Sequence, residues 1–152
     1  MSIWNAPIDL DAVNADLQGT LCEHLGIRIT GIGDDFLKAS MPVDHRTCQF
    51  MGILHGGASV SLAETVGSLA SSFCCKPGYY CVGLDINANH LRAGRPPHVT
   101  ATARPLHLGA STMVWDIRIH DARDKLVCVS RLTMAVLKGD PLQHRTDRES
   151  PA

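Results

Sequence analysis

Gly57-Ala58-Ser59-Val60-Ser61-Leu62-Ala63-Glu64-Thr65-Val66-Gly67-Ser68-Leu69-Ala70-Ser71-Ser72-Phe73-Cys74-Cys75 contains one charged residue, Glu64. Apolar side chains recur in it at helical spacing. Leu62, Val66, Leu69 and Phe73 share one face, with Ala63 and Ala70 beside them. Glu64, Ser68 and Ser71 fall together on another face, at i, i+4 and i+7. A helix from about Ala58 to Cys75 is expected, stopped by Lys76-Pro77-Gly78. A helix this apolar must be largely buried, so the rest of the chain has to pack around it.

Glu64 is then expected to be a buried carboxylate, which costs several kcal/mol unless it is partnered or used in chemistry. A structural glutamate satisfied by Ser68 or a buried histidine is one reading. The segment just upstream supplies the other. His55-Gly56-Gly57 stands where loop becomes helix, and glycine there lets a ligand come close to the backbone. The first N–H groups of a helix lack internal partners and carry the positive end of its dipole, which suits a developing oxyanion. An ordinary glycine-rich helix start has the same appearance. Gly56 and Glu64 are roughly 12 Å apart along a helix, too far to act on one carbonyl from a single chain. If they act together, the site combines Gly56 of one subunit with Glu64 of another, which implies a homodimer or higher assembly.

Outward from this helix, Asp9 can cap a short helix bearing Leu10, Val13 and Leu17, ended by Gly19. Strands are expected at Gly26–Ile32 and Phe36–Pro42, with Gly33-Asp34-Asp35 between them. After the helix come strand-like runs at Tyr80–Leu91, Val99–Leu106, Met113–His120 and Leu126–Leu137, with a hairpin loop at Asp121–Lys125. Trp115, Ile117 and Ile119 alternate with Asp116, Arg118 and His120, the period of a half-wet strand. No helices separate the later strands, so a doubly wound parallel sheet is excluded. The expectation is an α+β fold, an antiparallel sheet wrapped around one long central helix. It forms one domain over residues 1–137, followed by a polar, flexible tail over 138–152.

Composition narrows the function. The chain has 152 residues, a formal net charge of −1, and 45% hydrophobic and 19% charged residues, which fits one globular domain. No basic field exists to hold a nucleic acid. No stretch spans a bilayer and no signal peptide is evident, so a cytoplasmic protein is expected. The six cysteines show no paired C-x-x-C spacing and read as reduced thiols packed as small hydrophobes. No metal is expected from them or from the scattered His55, His90 and His107, and no cofactor is called for.

Several ordered segments now resemble hotdog-fold thioesterases. They are Thr47-Cys48-Gln49-Phe50-Met51-Gly52-Ile53-Leu54-His55-Gly56-Gly57-Ala58-Ser59, Leu62-Ala63-Glu64-Thr65, Gly67-Ser68, Met41-Pro42-Val43-Asp44, Asn87-Ala88-Asn89-His90, Pro105-Leu106-His107-Leu108-Gly109 and Arg131-Leu132-Thr133. The nearest subgroup holds the 1,4-dihydroxy-2-naphthoyl-CoA thioesterase and the proofreading thioesterase of enterobactin synthesis. The resemblance implies hydrolysis of an acyl-CoA thioester, favouring a hydroxylated aromatic acyl group. It implies that Glu64 attacks the carbonyl or activates water, that the Gly56 N–H holds the oxyanion, and that Gln49 and His55 orient thioester and water. Ser68 would position the carboxylate or the water. His90, Gly57 and Val82 would contact the acyl part, and Arg92, Gly109, Ser111 and Thr112 the CoA. Close relatives carry proline and phenylalanine after the glutamine. Phe50-Met51 stands here instead, so the loop placing Gln49 is where this chain is expected to differ. Dehydration or hydration of an acyl thioester, a non-catalytic acyl-CoA-binding module, and hydrolysis from a carrier protein are the alternatives.

Overall fold

The structure, a computed structural model, describes residues 1–140. Its elements run α1 (Leu10–Asp16), α2 (Leu21–Leu25), β1 (Arg28–Ile32), β2 (Leu37–Pro42), α3 (Gly56–Cys74), β3 (Tyr79–His90), β4 (His98–Leu108), β5 (Thr112–Asp121) and β6 (Leu126–Lys138). The strands form one antiparallel sheet in the order β1-β2-β4-β5-β6-β3. This is the expected α+β hotdog architecture, with the sheet curled around α3. The chain passes from β2 through α3 to the far edge, so the central helix is also the connection between the two sides of the sheet.

Strand alternation produces the buried face. Leu37, Ala39 and Met41 of β2 are buried while Lys38 points out, and Met113, Trp115, Ile117 and Ile119 of β5 are buried together. Ala39 pairs with Ala101, and Ala103 faces Ile117 across the ladder. These small side chains make room for a helix lying directly on the sheet. α3 meets them with Leu62, Ala63, Val66, Gly67 and Ala70. A methyl at Gly67 would lie 2.6 Å from Leu132 Cδ2, so backbone and sheet are at contact distance there.

Two features of α3 differ from the wheel. Leu69 and Phe73 lie outside the sheet-facing core; they are partly buried, packed with residues from the N-terminal part of the chain. Trp4 sets its ring edge-on to Phe73, centroids 6.4 Å apart. Ser71 does not share the exposed face of Glu64. It is fully buried, accepts the Trp115 Nε1–H at 2.7 Å and donates to the Gly67 carbonyl at 2.9 Å. A buried indole N–H needs an acceptor, and Ser71 is that acceptor.

α2 was not expected. It is a single turn capped by Thr20, below the length at which periodicity is readable. Lys138 still belongs to β6, so the strand outlasts its expected end by one residue. The rest of the anticipated tail, from 141 onward, lies outside the described residues.

The sheet has unequal edges. β1 is a five-residue strand broken by a register shift at Ile29/Gly31. β3 is a twelve-residue strand that, among the described residues, pairs with β6 alone, and it exposes Val82 (41%) and Leu84 (63%). A long apolar edge without a bordering strand is a template for pairing with another chain.

Candidate active site

The loop before α3 is a built device. Asp44 accepts the Arg46 backbone N–H, and its carboxylate is bridged to the Arg46 guanidinium at 2.7 Å. These Arg46 hydrogen bonds hold the Asp44 carboxyl at about 2, below its ordinary 3.8. The Thr47 hydroxyl donates to the Pro42 carbonyl, and the Cys48–Leu54 bridge closes the loop. Gln49 to Gly52 makes the turn at its tip, with Gln49 Oε1 accepting the Met51 N–H. That bond occupies the amide oxygen, so Gln49 presents its NH2 group as a donor. Phe50 and Met51, the departure from the family pattern, stand at the turn tip, 96% and 66% exposed.

His55 caps α3. Its Nδ1 accepts the Gly57 N–H at 2.8 Å, which leaves the ring proton of the neutral imidazole on Nε2. The Gly57 N–H is thereby occupied and is not an oxyanion donor. The Gly56 N–H has no acceptor among the described residues. It is the first amide of a 19-residue helix, where the dipole is positive. The His90 ring lies against it: a methyl at Gly56 would meet His90 Nε2 at 2.9 Å. Gln49, Gly56, His90 and Arg92 line one cleft of about 420 Å³, together with Leu54 and Val127.

Glu64 and Ser68 lie elsewhere, on a second groove of about 350 Å³ walled by Leu17, Leu21, Cys22, Leu25, Ile27 and Leu69. The expected burial of Glu64 is not found within one chain, where the residue is exposed. Its carboxylate has no hydrogen-bond or ion-pair partner among the described residues, so a role as a partnered structural glutamate does not hold there. Ser68 does not reach it either; its hydroxyl contacts Met134 Sδ at 3.7 Å. The carboxylate approaches β3 instead. Oε1 lies 2.9 Å from where a side chain at Gly83 would begin, next to exposed Val82.

The four residues assigned to CoA do not form one patch in one chain. Arg92 belongs to the Gln49–His90 cleft, beyond the end of β3. Gly109, Ser111 and Thr112 form the β4–β5 hairpin at the other end of the sheet. His90 pairs with Cys128 and Thr112 with Ala135, seven residues further along β6, roughly 23 Å away. The Gly109 N–H is consumed by the Thr112 carbonyl at 2.9 Å, so that amide is not available to a phosphate. The Ser111 and Thr112 hydroxyls remain at the surface, 3.4 Å apart.

The sequence reading did not single out Gly83 or the groove walls contributed by α1 and α2. Gly83 carries no local signal, because its meaning depends on which side chain crosses it.

An unpartnered carboxylate beside an apolar groove, and in a separate cleft a helix-start amide with a glutamine donor, are groups able to serve acyl transfer to water, and they sit on a hotdog fold. The comparisons agree. A model of the thioesterase superfamily matches residues 51–128. The chain is 50% identical over 135 residues to the 1,4-dihydroxy-2-naphthoyl-CoA hydrolase of Escherichia coli, covering 89% of this chain and 99% of that one. It is 48% identical over 135 residues to the proofreading thioesterase EntH of Cronobacter turicensis, covering 89% and 98%. A crystal structure of a Haemophilus influenzae thioesterase aligns with a TM-score of 0.88 at 51% identity, over 90% of this chain and 95% of that one. Fold and relatives together define a thioester hydrolase. The chain belongs to the thioesterase superfamily. Among the described residues, no helix is long and apolar enough to cross a membrane.

Proposed function

We propose that this protein hydrolyses aromatic acyl-CoA thioesters in the cytoplasm as a two-fold dimer joined through β3, each site taking Gly56 from one subunit and Glu64 from the other. One observation carries the reading. The amide-bearing cleft and the carboxylate-bearing groove are separate in one chain, and they meet the same edge strand at two points, His90 and Gly83. An antiparallel pairing of two β3 strands centred between Ile86 and Asn87 sets His90 of one opposite Gly83 of its partner. That operation brings each Gly56 amide toward the partner's Glu64 and covers Val82 and Leu84 at once.

In the assembled site the acyl group lies in the apolar groove beside Glu64. The thioester oxygen faces the Gly56 N–H, and CoA leaves past Arg92. Glu64 attacks the carbonyl carbon or takes a proton from the attacking water. The oxyanion gathers charge at the Gly56 amide, where the helix dipole and the N–H act together. The Gln49 NH2 and His55 Nε2–H supply further donors, and His90 packs over the glycine to hold the thioester in line. The groove, about 350 Å³, is within the range of small-molecule sites. The aromatic acyl class rests on the relatives named above.

The test is subunit complementation. Glu64→Gln and Gly56→Pro each inactivate the homodimer. Random reassortment makes half the dimers mixed, and each mixed dimer holds one intact site. About a quarter of wild-type activity therefore returns on mixing, measured as thiol release from a hydroxybenzoyl-CoA. No recovery, with mixed dimers shown to be present by mass, rules out the shared site.

A further inference from the structure

Two cysteines outside the site meet at the far end of the central helix. Cys75 is the C-cap residue of α3 and Cys81 is the third residue of β3, paired with Val136. Their Sγ atoms are 2.7 Å apart, and both are free thiols. We propose that Cys75 and Cys81 are a modification site: an oxidant closes them into a reversible intrachain disulfide that staples the end of α3 to the edge strand.

The geometry needs little rearrangement. A disulfide bond is about 2.05 Å long, so the sulfurs close by under 1 Å, within reach of side-chain torsions. The connecting segment is already a tight turn, with Gly78 at φ 81° and the Tyr79 N–H bonded to the Lys76 carbonyl at 3.1 Å. Cys75 is reachable from two sides. One cleft is walled by Cys74, Lys76, Tyr79 and Met113, the other by the N-terminal segment about Asn5 and Pro7. Neighbouring Cys74 is not the partner; the close sulfur contact belongs to Cys75.

The chemistry balances with a peroxide as the oxidant. Burial, then the contact with Cys75, pushes the Cys81 thiol up to about 12, and burial pushes Cys74 up to about 11, so both stay protonated at neutral pH. Cys75, which both clefts reach, is the first to meet the oxidant. Its sulfur attacks one peroxide oxygen, the O–O bond breaks, and a sulfenic acid and one water result. The Cys81 sulfur then attacks the Cys75 sulfur, the S–O bond breaks, and hydroxide leaves with the Cys81 proton as a second water. Two thiols are oxidised and one peroxide is reduced. In a reducing compartment the pair rests as dithiol and closes under oxidative load.

The experiment uses the reduced full-length protein treated with hydrogen peroxide, then alkylated and mapped by mass spectrometry. Two of the six thiols become protected from alkylation, the chain loses two hydrogens in mass, and dithiothreitol restores both. The oxidised protein melts about 5 °C higher, as expected for closing a short loop in the unfolded chain. Cys75→Ser and Cys81→Ala each abolish the linkage, while Cys74→Ser retains it. Six reactive thiols after peroxide, a linkage that needs Cys74, or a linkage only between chains overturns the proposal. Using variants at both ends of the pair keeps the result readable if one of them folds poorly.

Discussion

Replacing Gly56 by proline removes the N–H from the proposed oxyanion site and sets the ring Cδ on that nitrogen. Gly56 is the first residue of α3, the position where proline is best tolerated because that N–H has no partner within the helix. The preceding His55 already has φ −70° and ψ 133°, the extended conformation that a following proline requires. The fold should therefore survive. The substitution also adds a Cβ 2.9 Å from His90 Nε2, which must move. Gly56→Ala supplies the control, since it adds the same carbon and keeps the N–H. Loss of a single oxyanion donor costs about 100- to 1000-fold in kcat, or about 3–4 kcal/mol. The alanine variant carries only the displacement of an exposed imidazole and should lose about tenfold or less. The assay is steady-state hydrolysis of an aryl-CoA followed with a thiol reagent, with melting curves for all three proteins. Melting temperatures should agree within a few degrees. Equal kcat for the proline and alanine variants would refute the role of the amide, because the only difference in donors between them is that hydrogen.

Gly83→Ala puts a carbon 2.9 Å from Glu64 Oε1 and pushes the carboxylate aside without removing it. kcat should fall about 10- to 100-fold with KM little changed, and unaltered kcat would mean that Glu64 does not act from this position. Gly67→Ala drives a methyl to 2.6 Å from Leu132 Cδ2 and 3.0 Å from Ile117 Cδ1 in the core. The overpacking, about 1–3 kcal/mol, exceeds the helix-propensity gain of about 1 kcal/mol, so urea unfolding should show net destabilisation. Asp44→Asn tests the loop that carries Gln49. The carboxyl is held at about 2 against an ordinary 3.8. Its contribution is therefore complete above about 4 and lost as pH falls toward 2. The melting temperature of the native protein should exceed that of the variant at pH 6, and the gap should shrink through that window. The gap is small because the pair is exposed to solvent, and a gap constant with pH would count against the Arg46 bridge.

How far the sequence could be read depends on where each residue's partners lie. α3 and the four strands after it were legible because helical spacing and period-two alternation are local, and the bounds of the later strands came within about two residues. α2 escaped because one turn has no period. Ser71 was placed with Glu64 because the two are nearly eclipsed on the wheel, yet what covers a helix changes along its length. Trp115 reaches down to Ser71, whereas beside Glu64 the sheet offers only the bare backbone of Gly83. Hence one serine is sealed in the core and a carboxylate two turns away is open. The expected burial of Glu64 failed for a related reason. An apolar helix with one charge announces that its face is covered, but not by which chain. In a single chain Glu64 is left exposed, and the outer edge of β3 has no partner strand among the described residues. Both gaps lie along one edge, so one two-fold contact through β3 can fill both. If Gly56 and Glu64 act on one thioester, their spacing requires such a contact, since a helix cannot bring two points roughly 12 Å apart along its own axis to one atom.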